Sequence, residues 1–210
     1  MNKLVHLFIL FVLSVVVKSK VINNDRFYYF AYGSNLLARR LHIQNPSAFF
    51  ISPAKLKDHR LDFNMYTKTW RGAAATIVPD HGSVVWGALW TIESSFLKHL
   101  DDQEGVDSGW YFPKFVNVTV PGGAVVEART YQETVNPPKV DPENIPLERR
   151  PSNTYMQVII DGAIQCGLPP HYIQYLYTFP TNGRVAARKM LEQLGYLHYA
   201  ENAENNYTHL

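Results

Sequence analysis

The sequence predicts an α+β fold, a mixed and mostly antiparallel sheet curled into a small barrel with helices around it. Three observations carry that expectation. Segments of strand character dominate the middle of the chain, from Leu61 to Gln132. Helical patterns are interspersed among them without the regular strand–helix–strand alternation of a parallel sheet. The chain has 210 residues, 46% hydrophobic and 18% charged, which is enough for one domain with a full core. No internal repeat is visible.

The first strand is the aromatic run Phe27, Tyr28, Tyr29, Phe30 and Tyr32, residue types that suit a pleated, half-buried surface. Gly33-Ser34-Asn35 then reads as a tight turn. Glycine there can take a backbone conformation closed to other residues, and Ser34 or Asn35 can cap the first amides of a helix. Leu36, Leu37 and Leu41 give that helix its apolar stripe, and Arg39 and Arg40 its wet face. A strand-to-helix turn of this kind aims unpaired N–H groups at one spot, which suits a carboxylate or an oxyanion, although it is also an ordinary connection.

Leu61–Met65 reads as a short strand. Trp70 to Ile92 reads as two strands around a turn at Pro79-Asp80-His81-Gly82. Within it, Gly72, Ala73, Ala74 and Ala75 are too small to fill a core. Either bulky neighbours pack over them or they leave room for a ligand. Ser94 to Gln103 is a short helix stopped by Gly105. The segments Trp110–Val120 and Ala124–Gln132 flank Pro121-Gly122-Gly123 as a hairpin. Asn136 to Pro151 holds five prolines and reads as a surface loop. Helices follow over Asn153–Cys166, Pro170–Tyr177 and Arg184–Leu194, and residues 196–210 read as a flexible tail.

The amino terminus is of another kind. Lys3 precedes an apolar run of fourteen residues, Leu4 to Val17, followed by small residues at Val17 and Ser19. A membrane span needs roughly 20 apolar residues. Residues 1–19 are therefore expected to be a cleaved signal peptide, with the domain over residues 20–195 and the mature protein secreted. If that reading of the leader is wrong, the expected location is cytoplasmic. Cleavage lowers the formal charge from +2 to zero, and no basic patch points to nucleic acid. No membrane association is expected after cleavage. Asn117-Val118-Thr119 and Asn206-Tyr207-Thr208 are glycosylation sequons. Cys166 is the single cysteine, so no internal disulfide is possible. It lies in an apolar helix and reads as a buried, inert thiol.

Several chemistries are absent from the motifs. There is no G-x-S-x-G elbow, phosphate loop, H-E-x-x-H pair or CxxC. The eight histidines are scattered. No metal or cofactor is implied. The stretch "LDDQEGVDSGWY" stands out, because Asp101, Asp102 and Glu104 crowd a helix end where the macrodipole is already negative. A carboxyl there has its pKa pushed up toward acid–base work near neutrality. The same stretch also reads as a solvated acidic turn, the usual meaning of a charge run, and its spacing does not match an EF-hand.

Taken in order, "YFAYGSNLL", "NPSAFF", "LDFNMYTKTWRGAAATI", "VVWGALW", "LDDQEGVDSGWY" and "QCGLPPHY" resemble the γ-glutamylcyclotransferase family over roughly residues 27 to 178. The resemblance implies a small barrel with a pocket at its mouth, in which a glycine-serine loop binds the γ-glutamyl group of a small-molecule substrate. It implies Tyr29, Phe30, Ala31, Tyr32, Gly33 and Ser34 as that loop, Tyr155 as a substrate-contacting residue, and Glu104 as general base and acid. The implied reaction converts γ-glutamyl amino acids or peptides, such as those of glutathione turnover, to 5-oxoproline and a free amino acid. Asp101 and Asp102, read as solvated acids, are expected to matter little. The resemblance also implies a homodimer, for which Phe49 and Phe50 offer apolar surface if exposed. Two other readings accompany it. One is a γ-glutamylamine cyclotransferase acting on isopeptides, from which Ser34-Asn35 differs. The other is a secreted, non-catalytic binding protein, for which retention of Glu104 has no purpose.

Overall fold

A computed structural model describes residues 25–199. The signal peptide expected over residues 1–19, Asn206 and most of the expected tail lie outside the described residues. Among the described residues, five strands form one closed barrel: β1 (Arg26–Ala31), β2 (Phe49–Thr67), β3 (Gly72–Glu93), β4 (Tyr111–Thr119) and β5 (Val125–Glu133). Their order around it is β1-β3-β2-β4-β5. Neighbours are antiparallel except where β5 meets β1, in parallel at Tyr29 and Arg129, and closes the barrel.

The barrel is carried by the β2–β3 pair, and here the sequence misleads. β2 begins at Phe49, well before Leu61, because Lys55, Lys57, Asp58, His59 and Arg60 obscure an alternation that still buries Ala54 and Leu56. Nor does Pro79–Gly82 reverse the chain. Both halves of β3 pair with β2, and the register jumps from Lys57–Val84 to His59–Pro79. The extra residues form a bulge, tied down where the Gly82 N–H donates to Asp58 Oδ1 at 2.9 Å. The reversal lies at Thr67–Arg71 instead, where Arg71 N donates to the Thr67 carbonyl at 2.8 Å.

Among the described residues, five helices surround the barrel: α1 (Ala38–His42), α2 (Leu97–Gln103), α3 (Asn153–Gln165), α4 (Pro170–Leu176) and α5 (Arg188–Leu194). α3 starts at Ser152, whose hydroxyl accepts from Tyr155 N at 3.2 Å. Its apolar face, with Tyr155, Met156, Val158, Ile159 and Ala163, joins the core formed by Phe30, Phe63, Ile77 and Leu89. Burial of side chains the size of Met156, Val158 and Ile159 contributes about 1.5–3 kcal/mol each. Gly162 on α3 sits against the loop after β1, and a Cβ there would fall 2.4 Å from Leu37 N. This contact fixes the loop's position.

Two expected helices are shorter than their patterns. Ser34–Leu36 is a single 3₁₀ turn, and Leu37 is extended before α1 begins. α3 supplies the reason: Gln165 Oε1 accepts from Ala38 N at 2.9 Å, and the Cys166 thiol donates to the Leu36 carbonyl at 3.3 Å. Cys166 is buried, and burial pushes its thiol up to about 12. Residues 184–187 are not helical because Ala186 N donates to Thr154 Oγ1 at 2.6 Å and Ala187 N to the Thr69 carbonyl at 2.9 Å. Tyr196, expected in the tail, packs against the core and donates to Asp161. No helix among the described residues is long and apolar enough to cross a membrane.

Candidate active site

The aromatic strand β1 ends by delivering Tyr29, Tyr32 and the Gly33–Asn35 turn to a cleft at the barrel mouth. Ala75 of β3, Tyr111 of β4, Tyr131 of β5 and Tyr155 of α3 form its other walls. Glu104, the residue after α2, reaches in from the side. Of the residues the sequence points to, Tyr29, Tyr32, Gly33, Ser34, Glu104 and Tyr155 meet here. Phe30 and Ala31 do not line the cleft; they are buried in β1, opposite Leu89 and Ala88 of β3.

Gly33 has φ −107° and ψ −141°. What it supplies is space. A Cβ at this position would sit 3.3 Å from Ala75 Cβ and 3.4 Å from the Tyr155 hydroxyl. The small residues 72–75 likewise serve both purposes offered for them. Ala75 N donates to the Tyr155 hydroxyl at 3.0 Å, and the Ala75 methyl leaves the cleft open. The first hydrogen bond within the 3₁₀ turn is Leu36 N to the Gly33 carbonyl at 3.0 Å, so the amides of Ser34 and Asn35 precede it. No side chain caps this turn.

Asn35 does something else. Its amide group donates to Glu104 Oε1 at 3.1 Å and to the Tyr29 hydroxyl at 3.0 Å, while its oxygen accepts from Gln103 at 2.9 Å. The carboxyl of Glu104 is thus held from the loop. Burial pushes it up to about 7, against the opposing pull of the Arg40 guanidinium and the Asn35 amide; Asp101 adds to the rise and the Gln103 amide opposes it. A carboxyl titrating there can take and return a proton near neutrality. Arg40, expected on a wet face, is buried, and its Nε has no partner among the described residues.

The acidic stretch divides. Asp102 is exposed and pairs with Lys98 at 3.0 Å, as a solvated acid does. Asp101 is not solvated. It pairs with Arg129 at 2.6 Å and accepts from the Tyr131 hydroxyl at 2.5 Å, binding α2 to β5. Asn35, Arg40, Tyr111 and Tyr131 were not distinguishable as site residues in the sequence. Their partners lie far away along the chain, and tyrosine is frequent in it.

Residues 84–176 match the AIG2-like family. The γ-glutamylcyclotransferase of Bos taurus is 42% identical over 164 residues, 76% of this chain and 82% of that protein. That of Homo sapiens is 40% identical over the same shares of both chains. A solved structure of a γ-glutamyl cyclotransferase superimposes with a TM-score of 0.72 at 36% identity, over 80% of this chain and 97% of the other. The chain belongs to the γ-glutamylcyclotransferase family and shares its fold with a solved γ-glutamyl cyclotransferase.

Proposed function

We propose that the protein is a γ-glutamylcyclotransferase, releasing 5-oxoproline and a free amino acid or peptide from a γ-glutamyl substrate, with Glu104 as general base and then general acid. The observation that carries the reading is the Asn35–Glu104 hydrogen bond, 3.1 Å, which places a carboxyl titrating at about 7 beside the glycine-serine loop. The substrate brings its own nucleophile. Glu104 takes a proton from the α-ammonium, and the freed amine attacks the γ-carbonyl carbon. A C–N bond closes a five-membered ring and the carbonyl becomes an oxyanion. Glu104 returns the proton to the departing nitrogen, whose bond to carbon breaks as the oxyanion collapses. The carboxylate so freed takes the second proton from the ring nitrogen, and that proton leaves with the departing amine as its ammonium. Holding the substrate in a near-attack shape is worth about 7–11 kcal/mol. The Ser34 and Asn35 amides at the cleft are suited to an anionic oxygen. Incubation with γ-glutamyl-alanine tests the reading: 5-oxoproline and alanine are expected in equal amounts. An absence of both, or faster turnover of ε-(γ-glutamyl)-lysine, contradicts it.

We also propose that the protein is exported, glycosylated and dimeric. The leader over residues 1–19 supports export. Asn117 is exposed on β4, open to a glycan. Phe49, 67% exposed, and the half-buried Phe50 offer apolar surface on β2 for a second copy. Peptide sequencing of secreted protein should find Lys20 first. An intact Met1 or retention in the cytosol contradicts export.

A further inference from the structure

Five tyrosines line the cleft, and the hydroxyl of each is buried among protein partners. A phenol has one proton to give and lone pairs with which to accept. Its protein partner therefore decides what it offers a ligand. Tyr32 donates to the Tyr131 carbonyl at 2.6 Å, and Tyr111 to the Ala75 carbonyl at 2.7 Å, with Glu133 Oε1 as a second acceptor at 3.2 Å. A carbonyl can only accept, so both protons are committed. The Tyr131 hydroxyl donates to Asp101 at 2.5 Å and accepts from Arg129 Nε at 3.1 Å, so both its roles are used. Tyr29 and Tyr155 are the reverse. Each accepts, from the Asn35 amide at 3.0 Å and from Ala75 N at 3.0 Å, and no acceptor among the described residues takes their protons. Burial keeps both phenols from ionising, so the protons stay available.

We propose that these partners sort the cleft into donors and acceptors. Tyr29 and Tyr155 are the hydroxyl donors to the γ-carbonyl oxygen as it becomes an oxyanion, and Tyr32 and Tyr111 accept from the α-ammonium. The inference rests on the cyclotransferase reading above. An ammonium has three N–H bonds, and ionised Glu104 with the Tyr32 and Tyr111 oxygens makes three acceptors. The donor pair faces the opposite need, since charge on the oxygen grows only toward the transition state. The Tyr155 hydroxyl also borders the space over Gly33, where a Cβ would come within 3.4 Å of it, so its proton and the loop amides converge. The sorting fixes one orientation of the γ-glutamyl group, with nitrogen toward Glu104 and oxygen toward Tyr155.

Phenylalanine variants separate the two classes when turnover of γ-glutamyl-alanine is compared with inhibition by glutaryl-alanine, which has no α-amino group and cannot react. Tyr29→Phe and Tyr155→Phe should each lower kcat about 100-fold, with KM changed about threefold or less. Tyr32→Phe and Tyr111→Phe should raise KM about tenfold yet leave inhibition by glutaryl-alanine within about twofold of wild type. Retained binding of glutaryl-alanine also shows that each variant is folded. The inference is overturned if Tyr32→Phe and Tyr111→Phe weaken glutaryl-alanine as much as the substrate, or if Tyr29→Phe and Tyr155→Phe keep wild-type kcat. Wild-type protein that forms no 5-oxoproline overturns the parent reading, and the inference with it.

Discussion

The side-chain amide of Asn35 donates to Oε1 of Glu104 at 3.1 Å, joining the loop that ends β1 to the residue that ends α2. Sixty-nine positions separate the two in sequence. The bond orients the carboxyl and favours its charged form.

Asn35→Ala removes both effects. The carboxyl of Glu104 then titrates above its value of about 7, so the acid limb of the kcat/KM profile moves to higher pH. At neutral pH kcat/KM should fall about tenfold or more. A pH–rate profile of the two proteins checks this; an unshifted limb contradicts it.

Asp101→Asn acts in the opposite sense. The Asp101 charge adds to the rise of the Glu104 carboxyl, so its loss moves the acid limb to lower pH. Breaking the 2.6 Å pair with Arg129 and weakening the Tyr131 bond should also cost about 1–3 kcal/mol of stability. Asp102→Asn, which loses only an exposed contact to Lys98, should stay within about 0.5 kcal/mol of wild type. Urea titrations of both variants decide between the roles, and equal midpoints would contradict the division.

Gly33→Ala tests space. Its added methyl meets Ala75 at 3.3 Å and the Tyr155 hydroxyl at 3.4 Å, tight contacts at the cleft wall. kcat/KM should drop about tenfold or more, while the melting temperature shifts by a few degrees at most. Ser34→Ala, which keeps its amide, should be milder. Unchanged turnover in Gly33→Ala removes the crowding argument.

The order of elements and the location of the site were legible because the signals were local. The aromatic run of β1, the helix ending at Gln103 and the loop motif each sit within a dozen residues. The 3₁₀ turn at Ser34–Leu36, the β3 bulge and the burial of Arg40 were not, because each is imposed from elsewhere: by α3 through Gly162, by β2 through Asp58, and by the packing around the cleft. Asp101 and Asp102 show the limit plainly. They are adjacent and chemically identical, and the positions of Arg129 and Tyr131 on β5 separate them.

Glu104 holds its proton more tightly in the folded protein than in the unfolded chain, so the folded state binds the extra proton between pH 4.5 and about 7. Stability therefore falls as pH rises through that window, and above it the buried charge is a cost. Glu104→Gln, which carries no charge, should be more stable than wild type at pH 8, by about 1–3 kcal/mol. The difference should close as pH falls toward 4.5, the ordinary glutamate value. Melting curves at the two pH values check the sign; a variant less stable than wild type at pH 8 contradicts it.

The central claim is that one carboxyl moves the proton from the attacking nitrogen to the departing one. Its most direct test is kcat for 5-oxoproline formation from γ-glutamyl-alanine by Glu104→Gln, in protein shown by its melting curve to be folded. The substitution keeps the size and much of the hydrogen-bonding shape of the side chain, so KM should change little. The account predicts that kcat falls about 10²–10⁴-fold. A folded Glu104→Gln protein that forms 5-oxoproline at near wild-type rate would contradict it.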